Sequence, residues 1–214
     1  NKTGWGKITY DQGFALSSNI AVANIVETVI TKEDLKACYA KYGFGKKTGF
    51  TLKREETGNI DYSYQIEAAT AGYGQGITTT PIQHIQALTA LTNDGIMLKP
   101  YIVDRIVDSD TKKIITKNER QEEGQIVSTD TVAKMKELMA SVVNGTKETS
   151  TGSAYYMDGY SLIGKTGTAQ IFDYSKGEYM KGDSDYIYSF SGIFPEENPK
   201  IILYAAIKRP KDTT

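Results

Sequence analysis

An α+β fold, with helices packed on an antiparallel sheet, is the architecture that this sequence predicts. Helical spacing and capping residues occupy the first two thirds of the 214-residue chain. Segments rich in Ile, Tyr and Phe occupy the last third, and this separation of helices from strands is typical of α+β proteins. The segments 187–194 and 200–207 are joined only by a short turn between Pro195 and Pro199, which fits an antiparallel pair.

Four helices are predicted from their start and stop signals. The clearest start is the run from Thr80 to Gln83, a capping box with proline at the first helical position. Thr31 is the expected N-cap of another helix, which Gly43 ends. The predicted ranges are 19–29, 31–42, 81 to Asp94-Gly95, and 129–143. The last of these has an apolar stripe at helical spacing, formed by Val132, Met135, Met139 and Val142.

Strand patterns predict a hairpin and a separate sheet. Residues 97–107 and 112–117 are expected to pair in a hairpin closed around Ser109-Asp110. The charge-rich segment 119–123 is expected to be a solvated link, and 44–62 a loop or short strand. The sheet is expected to contain the segments 162–171, 187–194 and 200–207.

Composition and charge argue against several classes of function. A formal net charge of −1 offers no basic field for nucleic acid, and the longest apolar run, 201–207, is too short to cross a bilayer. The one cysteine, Cys38, and the one histidine, His84, fall in different predicted helices. We therefore expect no disulfide, no metal site and no cofactor.

The strongest chemical motif is the lysine–threonine–glycine–threonine run at 165–168, on a predicted strand. Alternate residues of a strand share a face, so Lys165 points with Gly167, and Thr166 with Thr168. Such a strand offers a cation, hydroxyl donors for a carboxylate and, at the glycine, a close approach of substrate to the backbone. Taken alone, the run is more often a strand edge with a solvated lysine.

A second cluster, Ser17-Ser18-Asn19, stands before a predicted helix, where it would usually be only an N-cap. Its order relative to the strand motif changes this interpretation. Ser-x-Asn followed much later by Lys-Thr-Gly on a late strand is the order found in the serine β-lactamase and penicillin-binding superfamily.

A phosphate-binding loop is a poor interpretation of Gly72 to Gly76, because no Lys-Ser/Thr follows it.

Four stretches of the chain point to one family when they are taken together and in order: Gly13 to Asn19, Tyr73 to Gln83, Asn93 to Pro100, and Gly164 to Gln170. They resemble the class B (monofunctional) penicillin-binding proteins, and the resemblance covers nearly the full length of the chain. It implies a partial penicillin-binding/serine β-lactamase-like transpeptidase fold.

The family's nucleophile is missing from its expected place. It belongs to a Ser-x-x-Lys motif some tens of residues before Ser-x-Asn, but only sixteen residues precede Ser17 and none is a serine. The run from Ser109 to Lys112 matches the letters, yet it follows Ser-x-Asn and falls in a predicted turn, so we interpret it as a coincidence. We expect residues 1–214 to be the C-terminal fragment of a single transpeptidase domain.

The resemblance implies a D,D-transpeptidase that acts on peptidoglycan stem peptides ending in D-Ala-D-Ala, through a serine acyl-enzyme. Ser17 would relay a proton to the leaving nitrogen, Asn19 would hold the substrate amide, and Lys165 would supply positive potential. We therefore expect Ser17 and Lys165 to lie close together. The implied substrate-binding residues are Thr166 and Thr168 for the carboxylate, Gly167 for close approach, the Thr168 N–H for the oxyanion and Gln170 at the cleft edge.

The same resemblance implies several partners: the stem peptide, β-lactam antibiotics, the missing N-terminal part of the domain, and cell-wall or division proteins. It also implies a location at the extracytoplasmic face of the bacterial membrane, on an anchor outside this chain. Removal of the upstream part is expected to expose apolar residues on helix 19–29 and on the sheet.

Two alternatives stay open at the level of sequence. One is a β-lactamase or β-lactam sensor domain, which would need a deacylation device or a signalling membrane link, and neither is found in the sequence. The other is a non-catalytic cell-wall or division scaffold. The presence or absence of Ser-x-x-Lys upstream would separate enzyme from scaffold.

Overall fold

A computed structural model of the chain describes residues 4–50, 54–182 and 184–211, and within them it contains six α-helices and nine strands. The helices are α1 (Tyr10–Ala15), α2 (Asn19–Thr28), α3 (Lys32–Lys41), α4 (Gln65–Gly72), α5 (Pro81–Thr92) and α6 (Thr129–Asn144). The strands are β1 (Ile96–Leu98), β2 (Arg105–Val107), β3 (Ile114–Lys117), β4 (Glu122–Gln125), β5 (Ile163–Gln170), β6 (Phe172–Asp173), β7 (Glu178–Tyr179), β8 (Tyr186–Phe194) and β9 (Ile201–Lys208).

The main sheet has three antiparallel strands in the order β5-β8-β9. This arrangement confirms the α+β prediction and the three predicted strands of the last third. Lys165 on β5 lies opposite Ser191 on β8, which in turn lies opposite Tyr204 on β9. Within the described residues β5 pairs on one side only, so the strand that carries the lysine motif has an open edge.

The core lies between this sheet and the helices, with α6 packed on β5 and α5 on β9. Ile163 and Ile193 are fully buried there, opposite each other on β5 and β8. Because strand side chains alternate, burial of Ile163 directs Lys165, two residues later, toward the helices as well. The predicted stripe on α6 is confirmed, and the core cluster consists of Leu91, Val132, Met139, Ile163 and Ile193.

The predicted caps are confirmed at two helices. At α5 the Thr80 hydroxyl accepts the Gln83 N–H, and the Gln83 side chain accepts the Thr80 N–H. At α3 the same reciprocal pair is formed by Thr31 and Asp34. Gly43 follows α3 with a φ of +86°, a conformation that glycine adopts without a steric penalty.

The region between α5 and α6 differs from the prediction. The expected strand 97–107 is two strands, because β1 pairs with β4 while β2 pairs with β3. Consequently the segment 119–123, expected to be only a link, runs into β4, where backbone pairing and not side-chain burial holds the strand. The hairpin formed by β2 and β3 is confirmed, and every residue in its two strands is exposed.

Two helices were not predicted. α1 is only six residues long, which is too short to show a repeating apolar pattern at helical spacing. Thr9 and Gln12 nevertheless form a capping box at its start. α4 begins after Tyr64, which is not a usual capping residue; instead the Glu67 carboxylate accepts the N–H groups of Ser63 and Tyr64. In the described part of the chain, no helix has the length and apolar character needed to span a bilayer.

Candidate active site

Ser17 lies in the tight turn between α1 and α2, with a φ of +52° that few residues other than glycine adopt. The Ser17 N–H donates to the Phe14 carbonyl at 3.1 Å, and the Ser18 N–H to the Gly13 carbonyl at 2.8 Å. A Cβ on Gly13 would lie 2.7 Å from the Cβ of Ala21, so the close approach of the two helices requires glycine. The cap of α2 is Ser18, whose hydroxyl accepts the Ala21 N–H. The Ser17 hydroxyl is therefore not used as a cap.

Lys165 reaches this turn from β5. Its Nζ donates to the Ser17 Oγ, and also to the Thr166 carbonyl at 3.0 Å. The ammonium lies 5.7 Å from the centre of the Phe14 ring. The prediction that Ser17 and Lys165 lie close together is confirmed.

The charge on Lys165 lies in an unusual environment for an ammonium. Burial lowers the pKa of Lys165 from 10.5 to about 8, because removal of water disfavours the charged form. No carboxylate of the described residues contributes to this pKa. Among the described residues, the hydrogen-bond partners of the ammonium are a hydroxyl and a carbonyl rather than a carboxylate, an arrangement suited to an anionic ligand.

Thr151, which belongs to neither sequence motif, joins the two. Its Oγ1 lies 2.6 Å from the Thr166 Oγ1 and 3.2 Å from the Ser17 Oγ. Its N–H donates to the Ala15 carbonyl at 3.0 Å, which ties the loop after α6 to the end of α1. A single threonine in a loop carries no sequence pattern, so only the folded chain reveals this bridge.

The other predicted residues lie outside this hydrogen-bonded group. Asn19 is exposed on the first turn of α2, and Thr168 is exposed on β5. A Cβ on Gly167 would lie 2.5 Å from a serine hydroxyl of β8, so the glycine leaves room for that neighbour. Gln170 donates to the Met180 carbonyl at 3.4 Å, which ties β5 to the β6–β7 hairpin. Their roles toward a substrate stay predictions.

An apolar groove of about 240 Å³ lies on the helix side of the sheet. One of its lining residues is Ser191, the residue opposite Lys165 on the neighbouring strand, so the groove extends toward the site. Its remaining lining is mainly aromatic and aliphatic, with Tyr42, Phe44, His84, Ala87, Leu88, Leu91 and Met135.

The second serine–lysine match has a different environment. Lys112 Nζ donates to the Ser109 carbonyl at 2.7 Å, and the Ser109 hydroxyl donates to Asp110 at 3.3 Å. These contacts stay within the exposed β2–β3 turn, which confirms the prediction of a hairpin turn there. Across the described ranges, no cluster of three or more His, Cys, Asp or Glu residues could hold a metal ion.

The chain has an antiparallel sheet flanked by helices, and a lysine on the edge strand is hydrogen-bonded to a serine in the turn between two helices. These features agree with the class of protein that the sequence resemblance implies, the penicillin-binding/serine β-lactamase-like transpeptidases. The chain belongs to the penicillin-binding protein transpeptidase family, since the family model described as "Penicillin binding protein transpeptidase domain" matches residues 1–214. The family prediction from the four sequence stretches is confirmed.

Individual relatives agree with this assignment. The chain is 34% identical over 213 residues to stage V sporulation protein D of Bacillus subtilis, covering 98% of this chain and 32% of that protein. It is 32% identical over 208 residues to the peptidoglycan D,D-transpeptidase FtsI homolog of Mesostigma viride, covering 91% and 34%. The chain therefore spans about a third of the length of these curated relatives.

Solved structures show the same fold. Penicillin-binding protein 2X from Streptococcus thermophilus is similar with a TM-score of 0.87 and 26% identity, covering 97% of this chain and 31% of that one. Penicillin-binding protein 3 from Mycobacterium tuberculosis, complexed with aztreonam, is similar with a TM-score of 0.86 and 27% identity, covering 95% and 46%. The predicted transpeptidase-like fold is confirmed.

Proposed function

We propose that this chain provides the proton-relay and carboxylate-binding side of a peptidoglycan D,D-transpeptidase, which cross-links the cell wall through a serine acyl-enzyme. The observation that carries the proposal is the meeting of Ser17, Lys165 and Thr166 around Thr151, in a chain of the penicillin-binding transpeptidase family. A relative that is 32% identical is named a peptidoglycan D,D-transpeptidase, which supports the same reaction.

Proton transfer is the first part of the proposed chemistry. The Ser17 hydroxyl gives its proton to the nitrogen that leaves when the acyl-enzyme forms, and the Lys165 ammonium replaces that proton. A lysine with a pKa of about 8 is a far better proton donor near neutral pH than an ordinary lysine. The hydrogen bond from Lys165 Nζ to Ser17 Oγ supports this path.

Substrate binding is the second part. The C-terminal carboxylate of the stem peptide, or the carboxylate of a β-lactam, supplies the anion that Lys165 lacks, and it accepts from the hydroxyls of Thr166 and Thr168. Asn19 is exposed beside the turn, and its side-chain N–H donates a hydrogen bond to the amide carbonyl of the substrate. The Thr168 N–H on the edge strand stabilises the oxyanion, and Gly167 and Gln170 line the same edge.

We further propose that residues 1–214 are one part of a single transpeptidase domain, whose nucleophilic Ser-x-x-Lys comes from another part. The open apolar groove that reaches Ser191 supports this division. Exposed apolar residues at α2 and on the sheet support it as well, because a missing part of the domain would cover them. Ile20 on α2 and Val29, the residue that caps its C-terminal end, are 83% and 67% exposed, and Ile201 and Leu203 on β9 are 57% and 52% exposed.

The location and partners belong to the same proposal. A peptidoglycan-directed enzyme acts at the extracytoplasmic face of the bacterial membrane, and its partners there are stem peptides and cell-wall or division proteins. β-Lactams are ligands in the same cleft; the aztreonam complex of the Mycobacterium tuberculosis protein supports this assignment.

Intact-mass spectrometry after incubation with penicillin tests the proposal. The complete protein should gain one stoichiometric adduct, whereas the 214-residue chain alone should gain none, since Ser17 has no lysine three residues after it. An unmodified complete protein would contradict the transpeptidase assignment and favour the scaffold. An adduct that is rapidly hydrolysed would favour a β-lactamase, and an adduct on the chain alone would contradict the division of the domain.

A further inference from the structure

Phe14 contacts both partners of the Ser17–Lys165 hydrogen bond. Its carbonyl accepts the Ser17 N–H at 3.1 Å, which helps to hold the turn in its left-handed conformation. Its ring lies 5.7 Å from the Lys165 Nζ, measured to the ring centre. The ring is half-buried and packs against the core cluster that includes Ile163, two residues before Lys165 on the same strand. One side of the ring is thus held by the core, and the ammonium lies over the ring.

Among the described residues, the groups that Lys165 meets on the turn and on the two strands carry no charge. Ser17 lies on the turn, Thr166 on the same strand, and Ser191 opposite on β8. Thr151 lies one hydroxyl further away, hydrogen-bonded to Ser17 and Thr166. No carboxylate of the described residues contributes to the pKa of Lys165. Besides the Ser17 hydroxyl and the Thr166 carbonyl, which accept its hydrogen bonds, the cation therefore meets the electron-rich face of the Phe14 ring.

We propose that Phe14 is a positioning residue for Lys165: its ring holds the ammonium against Ser17 and keeps it charged in a site that lacks a counter-ion. The proposal rests on the function assigned to Lys165 above. A carboxylate at this position would neutralise the charge that a substrate carboxylate needs, whereas an aromatic face stabilises the cation and leaves its positive potential available.

The ring has two opposite effects on the proton affinity of Lys165. It excludes water, which disfavours the ammonium, and its negative face attracts the ammonium. Leucine in place of Phe14 would keep most of the exclusion and remove the attraction. Alanine would admit water. The two substitutions should therefore change the pKa of Lys165 in opposite directions, a result that loss of packing alone does not produce.

Competitive acetylation with acetic anhydride across a pH series measures this pKa in the complete protein. Mass spectrometry compares the peptide containing Lys165 with the one containing Lys134, an exposed lysine on α6. Phe14→Leu should lower the pKa of Lys165 by roughly half a unit to one unit. Phe14→Ala should raise it toward the ordinary value of 10.5, and Phe14→Tyr, which keeps the ring, should leave it near that of the wild type.

Equal values in wild type, Leu and Ala variants would overturn the proposal, and so would shifts of Leu and Ala in the same direction. Thermal melts show whether each variant folds. If Phe14→Ala does not fold, the pKa of Lys165 is compared between Phe14→Leu and Phe14→Tyr. Equal pKa values in those two variants would also overturn the proposal.

The rate of acylation by penicillin, measured across the same pH series, links the contact to function. The rate should fall as Lys165 loses its proton, and this fall should occur at lower pH in Phe14→Leu than in the wild type. If the wild-type protein is not acylated at all, the proposed function fails, while the acetylation result still tests the contact. If the wild type is acylated and the pKa of Lys165 does not move in either variant, the role of Phe14 fails alone.

Discussion

Ser17 and Ser109 both lie in turns and both are hydrogen-bonded to a lysine, but the two contacts span very different distances in sequence. Ser17 is hydrogen-bonded to Thr151 and Lys165, which are 134 and 148 positions away. The run from Ser109 to Lys112 matches the family's nucleophile motif by letter, yet its lysine bonds a carbonyl three residues away. The comparison shows that this site is defined by which segments the fold brings together, and that a matching run of letters is not sufficient.

The two lysines differ in solvation as well. Lys165 is partly buried, and burial lowers its pKa to about 8. Lys112 is exposed on a hairpin whose strands are exposed throughout. A lysine in water interacts weakly with a ligand, whereas one in a site of low polarity interacts strongly. Four predictions test whether this difference determines function.

Lys165→Ala should have the largest effect. In the complete protein it should slow acylation by penicillin by about 10²-fold or more, because pre-organised charge at a reacting centre is typically worth that much. Stopped-flow or quenched mass measurements give the rate, and circular dichroism checks that the fold is intact. Lys112→Ala is the matched control. Equal rates in the wild type and Lys165→Ala would end the assignment of Lys165.

Lys165 should also make folding depend on pH. Its pKa is lower in the folded state than in water, so it opposes folding below pH 8, and this opposition is lost as the pH rises from about 8 to 10.5. Lys165→Met should therefore raise the free energy of unfolding at pH 7 by roughly 1 to 3 kcal/mol. Urea titrations of both proteins should show that the difference between their free energies of unfolding disappears by pH 10.5. A difference that widens with pH would contradict this assignment.

Thr151→Val should have a smaller effect. Valine keeps the shape but removes the hydroxyl that joins Ser17 to Thr166, which should slow acylation by about tenfold. Thr151→Ser keeps the hydroxyl and should recover most of the rate. Acylation of Thr151→Val at the wild-type rate, or slowing of Thr151→Ser by as much as Thr151→Val, would show that the hydroxyl bridge has no part in the reaction.

Ser109→Ala should have no effect on acylation, within error. Its hydroxyl donates to the neighbouring Asp110 in an exposed turn, and surface substitutions of this kind seldom matter. Intact-mass measurement with penicillin gives the answer directly. Loss of the adduct in this variant would mean that Ser109 takes part in acylation, which would contradict the distinction between the two turns.

Much of the fold could be predicted from the sequence because the signals are short-range. The capping boxes at Thr31 and Thr80 involve residues three apart, and the stripe on α6 follows the helical repeat. α1 and β4 were missed for related reasons: α1 is shorter than two helical turns, and β4 is held by backbone pairing to β1 with no alternation of apolar side chains.

The sequence by itself determined the order of the motifs, and with it the family and the candidates Ser17 and Lys165. Only the tertiary structure decided that Ser18, and not Ser17, caps α2, that Thr151 bridges the two motifs, and that the Phe14 ring faces the ammonium. The physical reason is that burial of Ile163 against α6 sets which face of β5 meets the α1–α2 turn. A threonine hydroxyl or a phenylalanine ring acquires its role only from such contacts between distant segments.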